Sequence, residues 1–134
     1  MKPQPAILVV DDEPDMLENL SLALQVADYP HLTAKDGLEA LEILQTQPIQ
    51  LILSDIVMPR MNGYQLYQQV RENPLWGAIP FIFVTGCWLN SEICYGKELG
   101  VDDYLVKPVK ANYLIAVIQG KLRRAQQLAK AADQ

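Results

Sequence analysis

Short, unbroken apolar segments recur along the chain, separated by stretches in which apolar residues recur at helical spacing. Three of these segments are rich in Ile, Val and Phe: AILVV (6–10), LILS (51–54) and FIFV (81–84). Two weaker segments of similar length are HLTA (31–34) and DYLV (103–106). Unbroken apolar runs are typical of strands that are covered on both faces of a sheet. The pattern therefore predicts five strands, three of them fully buried.

The stretches between these strands carry helix signals. Pro14 suits a first helical turn, and apolar residues then recur at intervals of three and four. Similar spacing follows Gly37 and Gly63. The last two helices are predicted between Asn90 and Gly100 and from about 111 to 131. The order is thus five βα units without an intervening linker, which indicates a doubly wound parallel sheet.

Polar residues stand where the predicted strands end. Asp11 and Asp12 follow the first strand, Asp55 follows the third, and Thr85 and Lys107 stand at the ends of the fourth and fifth. In open parallel sheets, ligands bind beyond the carboxyl ends of the strands. We therefore expect these five side chains to converge on one crevice, with the aspartates exposed in it rather than buried.

The residue types at these strand ends indicate a particular chemistry. Three neighbouring carboxylates repel one another unless a cation is present, and oxygen ligands of this kind suit Mg²⁺. A lysine and a threonine hydroxyl suit the oxygens of a phosphoryl group, and a carboxylate can itself be the nucleophile. Each motif alone has a plainer explanation, such as negative charge at a helix N-terminus. Their combination favours phosphoryl transfer onto an aspartate.

The chain resembles the receiver domain of two-component response regulators over about residues 5–122. The resemblance rests on four motifs in order: VVDDE (9–13), LILSDIVMPRMNG (51–63), FIFVTG (81–86) and GVDDYLVKP (100–108). It implies an α/β fold, a CheY-like and flavodoxin-like (βα)5 doubly wound parallel sheet with strand order 2-1-3-4-5. It also implies a receiver domain over residues 1–122. Residues 123–134 would then form a C-terminal helical extension, which is a candidate linker to an output domain.

The resemblance implies a role for each residue of the crevice. Asp55 is the phosphoacceptor, and Mg²⁺ is held by Asp12, Asp55 and the backbone carbonyl of Val57. Asp11 contributes to the Mg²⁺ site through a metal-bound water. Lys107 pairs with Asp55 and then with the phosphoryl group.

The resemblance further implies a conformational switch. Thr85 binds a phosphoryl oxygen, and the ring of Tyr104 turns inward when Thr85 is drawn toward the phosphate. The peptide bond between Lys107 and Pro108 is expected to be cis, a geometry that X–Pro bonds adopt at modest cost. The surface that switches is formed by the fourth helix, the fifth strand and the fifth helix.

The implied function is phosphorelay signal transduction, in which a sensor histidine kinase donates a phosphoryl group to Asp55. Such a domain catalyses only its own phosphorylation and dephosphorylation and is not otherwise an enzyme. The switching surface is a candidate contact for an output domain or for a second copy of the chain.

Three alternatives remain open on the sequence. A phosphatase of the haloacid-dehalogenase type also uses a nucleophilic aspartate, but it needs an acidic residue at the position of Val57. A flavodoxin-like flavin binder needs a phosphate-binding loop where this chain has DDEPD (11–15). A receiver that signals without phosphate is disfavoured by the complete set of strand-end residues.

The predicted last helix has a second pattern. Ile118, Leu122, Ala125, Ala129 and Ala132 follow heptad spacing, which is typical of helices that pair. Only about two heptads are present and three of the five residues are small, so a frayed, solvated tail is an equal alternative.

Charge and composition bear on partners and location. The net charge of −5 divides into −9 over residues 1–107 and +4 over residues 108–134. The acidic body argues against direct binding of nucleic acid. No apolar run approaches the ~18 residues of a membrane span, and the N-terminus lacks a secretory cleavage site. Cys87 and Cys94 match no metal or redox spacing. We expect a cytoplasmic protein that makes no membrane contact.

Overall fold

The computed structural model describes residues 4–86 and 103–132. It contains five strands: β1 (Ala6–Val10), β2 (His31–Ala34), β3 (Ile49–Ser54), β4 (Phe81–Thr85) and β5 (Asp103–Val106). They form one sheet in the order β2-β1-β3-β4-β5, and every neighbouring pair is parallel. The predicted strand order is therefore confirmed.

Helices connect these strands. They are α1 (Pro14–Val26), α2 (Gly37–Thr46), α3 (Gly63–Glu72) and a C-terminal helix (Ala111–Ala132). Their starting positions agree with the predicted ones. The helix predicted between Asn90 and Gly100 lies outside the described residues, as do Cys87 and Cys94.

The sheet is covered on both faces, which explains its unbroken apolar strands. Successive residues of β1 point to opposite sides, so that Leu8 packs with α2 and α3 while Ile7 packs with α1 and the C-terminal helix. Phe81 and Phe83 of β4 lie on the side of α2 and α3, with ring centroids 5.2 Å apart. Burial of apolar side chains on both faces fixes the register of the strands.

The inward face of α2 differs from the predicted one. Leu38, Leu41 and Leu44 follow helical spacing, which predicts that they share the inward face, but Leu38 is exposed. Gly37 and Ala40 are buried instead, because the helix begins directly against the loop that follows β3. The small side chains at these two positions allow the close approach.

The C-terminal helix extends beyond its contacts with the sheet. Leu114 and Ile118 are buried, Leu122 and Ala125 are half-buried, and Ala129 is exposed. The helix continues to Ala132, so the last two turns are regular but solvated. None of the helices in the described part of the chain is long and apolar enough to cross a membrane.

Candidate functional site

The carboxyl ends of four strands bring the predicted residues together at one edge of the sheet. The amide of Asp11 donates to the carbonyl of Ala34 at 3.0 Å, and that of Asp55 donates to the carbonyl of Val10 at 2.9 Å. The amide of Lys107 donates to the carbonyl of Thr85 at 2.9 Å. These bonds continue the sheet's hydrogen bonding by one residue, so the side chains that follow are held by the sheet itself.

The side chain of Lys107 extends from the end of the outer strand β5 to the carboxylates that follow β1 and β3. Its ammonium group donates to Asp11 Oδ2 at 2.8 Å and to Asp55 Oδ2 at 3.1 Å. Glu13 Oε1 lies 3.9 Å from the same nitrogen. The contact with Asp55 agrees with the expectation from the family resemblance, whereas the shorter contact with Asp11 was not anticipated.

The expectation that the aspartates are exposed is wrong for two of them. Asp11 is only 1% exposed and Asp55 only 5% exposed, while Asp12 is exposed. Burial is tolerated because both carboxylates are compensated. Asp11 Oδ1 accepts from the amide of Glu13 at 2.9 Å, Asp55 Oδ1 accepts from the amide of Ile56 at 2.7 Å, and both residues share the Lys107 ammonium. Buried charges with this degree of pairing are stable in protein interiors.

Burial and hydrogen bonding have opposing effects on the pKa values of Asp11 and Lys107. Burial raises the pKa of Asp11 above its usual value, and the hydrogen bonds from Lys107 and Glu13 offset this only in part. Burial lowers the pKa of Lys107, but its hydrogen bonds to Asp11 and Asp55 outweigh that effect and the pKa is raised. Lys107 therefore stays charged at neutral pH.

Four acidic residues offer oxygen atoms within 4.8 Å of one another: Asp11, Asp12, Glu13 and Asp55. Carboxylate oxygens at a partly open site are the ligands that Mg²⁺ prefers. One ammonium group faces these four carboxylates, so a divalent cation would offset most of the negative charge that remains. The residues present therefore fit Mg²⁺. Glu13 was missed as a candidate ligand, although it is the third acidic residue in VVDDE.

The chain closes tightly after Asp55. The amide of Gly63 donates to the carbonyl of Ile56 at 2.7 Å, and a Cβ atom on Gly63 would lie 2.3 Å from the carbonyl oxygen of Asp55. Only glycine permits this approach. A capping box between Asn62 and Gln65 starts α3 at the same point. The loop between Asp55 and Gly63 is thus anchored at both ends, and the Val57 side chain within it is exposed.

The two residues expected to switch lie on neighbouring strands. Thr85 ends β4 and is buried, and Tyr104 on β5 pairs in register with Phe83. The rings of Phe83 and Tyr104 are 5.5 Å apart between centroids. The peptide bond between Lys107 and Pro108 is cis. The position of each predicted residue is therefore compatible with its expected role.

Comparison with known proteins identifies the family. The family model of the response regulator receiver domain matches residues 7–119. The chain belongs to this family. The receiver is 46% identical over 112 residues to a probable cyclic di-GMP phosphodiesterase from Vibrio cholerae, a match that covers 83% of this chain and 25% of the relative. It is 39% identical over 125 residues to the probable transcriptional regulator ycf27 of Cyanidium caldarium, covering 93% of this chain and 49% of the relative. The chain thus spans between a quarter and half of these two curated relatives.

Solved structures of receivers have the same fold. The receiver domain of a signal transduction histidine kinase from Syntrophus aciditrophicus is 31% identical with a TM-score of 0.83, over 90% of this chain and 91% of that one. The chemotaxis response regulator CheY4 of Vibrio cholerae is 31% identical with a TM-score of 0.81, over 89% of this chain and 99% of that one. This receiver is therefore a CheY-like domain of two-component signalling.

Proposed function

We propose that this receiver accepts a phosphoryl group on Asp55 in a Mg²⁺-dependent reaction, with a sensor histidine kinase as the donor. The observation that supports the proposal most strongly is the Lys107 ammonium, which contacts the buried carboxylates of Asp11 and Asp55. Two more acidic side chains, Asp12 and Glu13, lie beside them. A lone carboxylate at a strand end would need none of these neighbours.

The site would hold Mg²⁺ through Asp12, Asp55 and the backbone carbonyl of Val57, with Asp11 acting through a water. When bound, the metal supplies positive charge that neutralises oxygens of the phosphoryl group. The exposure of Asp12 is consistent with this division of roles, because a metal that keeps several waters needs a ligand at the solvent side.

Asp55 is oriented for nucleophilic attack. Its Oδ1 accepts from the amide of Ile56 and its Oδ2 from Lys107, so the carboxylate plane is fixed. A carboxylate oxygen of Asp55 forms a bond to phosphorus while the phosphorus–nitrogen bond of the donor phosphohistidine breaks and its electron pair returns to the imidazole. Lys107 and the hydroxyl of Thr85 then donate to phosphoryl oxygens. Preorganisation and charge supply the catalysis, as in other phosphoryl transfers.

Thr85 and Tyr104 would transmit the phosphorylation state of Asp55 to the surface of the domain. Movement of Thr85 toward the phosphoryl group leaves room for the Tyr104 ring, which shifts the surface of β5 and the C-terminal helix between two states. Val106 and Tyr113 are exposed on that surface. The predicted fourth helix, which would complete it, lies outside the described residues. We propose this surface as the contact for an output domain or a second copy of the chain.

The proposed reaction assigns different roles to the two segments of the chain. The receiver, residues 1–122, would catalyse only its own phosphorylation and dephosphorylation in the cytoplasm, and residues 123–134 would lead to an output domain. The activities named for the longer relatives would then belong to segments outside their receiver domains.

The proposal is tested by treating the purified protein with acetyl phosphate and measuring its intact mass. The parent protein should gain one phosphoryl group with Mg²⁺ and none after chelation of the metal. Asp55→Asn should gain none, and Asp12→Ala should gain little because its metal site is weakened. A parent protein that gains no phosphoryl group, or an Asp55→Asn variant that still gains one, would overturn the proposal.

A further inference from the structure

The loop that follows Asp55 has a lateral contact with a different part of the fold. The guanidinium group of Arg60 forms an ion pair with Asp36 Oδ2. The Arg60 side chain is 58% exposed, whereas the Asp36 side chain is 2% exposed. Asp36 lies just before α2, on the opposite side of β1 from β3 in the sheet order. The ion pair therefore joins the phosphoacceptor loop to a separate crossover.

Asp36 is itself rigidly held. Its Oδ1 accepts from the amide of Glu39 at 2.9 Å and so caps α2. This backbone hydrogen bond, together with Arg60, keeps the pKa of Asp36 below its usual value despite its burial. One oxygen is used for the cap and the other for Arg60, so the carboxylate acts as a fixed, charged anchor for the loop.

A second contact lies beside the ion pair. Met61 is buried against Gly37, where a Cβ atom would meet the Met61 side chain at 2.8 to 3.0 Å. The two loops thus pack together over consecutive residues: Asp36 with Arg60, and Gly37 with Met61. This ion pair has a better-defined geometry than an isolated surface ion pair, because the packing of Met61 against Gly37 limits the positions that Arg60 can adopt.

The backbone of Arg60 shows that its conformation is imposed. Its φ angle is +67°, which makes it one of two non-glycine residues with positive φ in the described ranges. The left-handed region is unfavourable for a residue with a Cβ atom and persists only where the surroundings enforce it. The side chain of the same residue makes the contact with Asp36, so the ion pair is in a position to enforce this backbone.

We propose that Arg60 is a positioning residue for the phosphorylation site, acting through Asp36. The inference rests on the proposed function. Arg60 stands three residues after Val57 and five after Asp55, and the far end of the loop is already fixed by Gly63. The ion pair supplies the anchor in the middle. It holds the backbone at Val57 and the carboxylate of Asp55 in the arrangement that binds Mg²⁺ and the phosphoryl group.

The expected consequence is a loss of metal affinity without a loss of the fold. If part of the population leaves the binding-competent loop conformation, the apparent Kd for Mg²⁺ rises in inverse proportion to the fraction of molecules that remain in it. Groups that orient metal ligands typically change affinity by about 10–100-fold. Since the Arg60 side chain is exposed, we expect the lower end of this range, so that Arg60→Ala weakens Mg²⁺ binding by about tenfold. The rate of phosphorylation at low Mg²⁺ should fall in parallel and recover at saturating Mg²⁺.

Four variants separate the contributions of the Arg60 charge, the Arg60 backbone conformation and the Asp36 charge to Mg²⁺ affinity. Arg60→Lys keeps a positive charge and should restore part of the affinity. Arg60→Gly removes both the ion pair and the backbone strain, and should be as weak as Arg60→Ala if the contact with Asp36 is what matters. Asp36→Asn keeps an oxygen for the α2 cap but loses its charge, and should match Arg60→Ala. Lys35→Ala removes an exposed charge next to Asp36 and should leave Mg²⁺ binding unchanged.

The test is a calorimetric Mg²⁺ titration of the full chain, with urea unfolding measured in parallel without metal. The double variant Arg60→Ala/Asp36→Asn should bind no more weakly than either single variant, because both remove the same contact. Parent-like affinity in Arg60→Ala, or additive losses in the double variant, would overturn the inference while leaving the proposed function intact. A parent protein that binds no Mg²⁺ would instead contradict the proposed function.

Amide hydrogen exchange supplies a second readout that does not depend on metal. The amides of Val57, Met58 and residues 60–62 should exchange faster in Arg60→Ala than in the parent, while those of α2 keep their protection. Unchanged exchange in this loop would contradict the positioning role even if Mg²⁺ affinity fell.

Discussion

Lys107 is the only cation that the described residues place on the buried carboxylates of Asp11 and Asp55. Replacing it with methionine keeps a flexible side chain of similar length but removes the charge. The two carboxylates then share a small buried volume without their common partner. We therefore expect Lys107→Met to destabilise the metal-free protein, and the structure sets the scale of the loss.

Removing one partner of a buried ion pair typically costs about 3–5 kcal/mol. Lys107 is 14% exposed, and a proton on Asp11 can replace the lost cation, so the lower end of the range, about 3 kcal/mol, applies here. For a domain of this size, each kcal/mol changes the melting temperature by roughly 3–5 °C. Lys107→Met should therefore melt about 10 °C below the parent at pH 7.

The pH dependence has a definite sign. The pKa of Asp11 is already raised in the parent, and in the variant it must rise further because the hydrogen bond from Lys107 is gone while the charge on Asp55 remains. A folded state with a raised carboxyl pKa binds protons more tightly than the unfolded chain, so its stability falls as pH rises through that pKa. The deficit of Lys107→Met should therefore shrink as the pH is lowered from 7 to 5.

Thermal unfolding followed by circular dichroism at both pH values measures this deficit. Lys110→Met is the matched control, since Lys110 is exposed and stands three residues further along. It should melt within about 2 °C of the parent. Mg²⁺ should recover more stability in Lys107→Met than in the parent, because it binds the carboxylates without a competing ammonium. An equal loss in both lysine variants, or a deficit that does not change with pH, would refute this description of the site.

Four further variants test other features of the structure. Gly63→Ala should destabilise the protein by about 3 kcal/mol in urea unfolding, because its Cβ atom would overlap the carbonyl oxygen of Asp55. In Gly120→Ala the added Cβ atom meets no atom within 4 Å, so the higher helix propensity of alanine should stabilise the protein by up to about 1 kcal/mol. Arg71→Ala should cost about 2 kcal/mol, since its guanidinium group donates to two carbonyl oxygens of the turn after α3 and lies 4.9 Å from an aromatic ring; an unchanged urea midpoint would contradict this. Deletion of residues 123–134 should change the free energy of unfolding by less than about 1 kcal/mol, because these residues are mostly solvated. If this helix pairs with a second copy, light scattering of the phosphorylated protein should give a dimeric mass for the full chain and a monomeric mass for the deletion variant. Monomeric masses for both would remove the dimer hypothesis.

The fold follows from signals that act locally. Apolar runs that continue through both faces of a strand, together with Pro14 at a first helical turn, are enough to place most of the elements. The five site residues could be predicted because they stand at strand ends, and parallel strands end at one edge. Their order along the sheet came from the family resemblance.

The contacts within the site could not be predicted in the same way. Lys107 pairs with Asp11 across 96 positions in the sequence, and Arg60 with Asp36 across 24. Such pairs depend on side-chain directions that arise only when separate crossovers pack together. The exposure predicted for Asp11 and Asp55 was wrong for this reason, because a carboxylate in a charged segment is expected to be exposed unless the cation that pairs with it is known.

The most direct test of the central claim is to locate the phosphoryl group by peptide mapping. After treatment with acetyl phosphate and Mg²⁺, borohydride reduces an acyl phosphate to an alcohol, which marks the modified aspartate in a trypsin digest. The mark should appear on Asp55, in the tryptic peptide that spans residues 36–60. It should be absent when Mg²⁺ is chelated. A mark on Asp11, Asp12 or any other residue, or a phosphoryl group on a serine, threonine or histidine, would contradict the assignment of Asp55 as the phosphoacceptor.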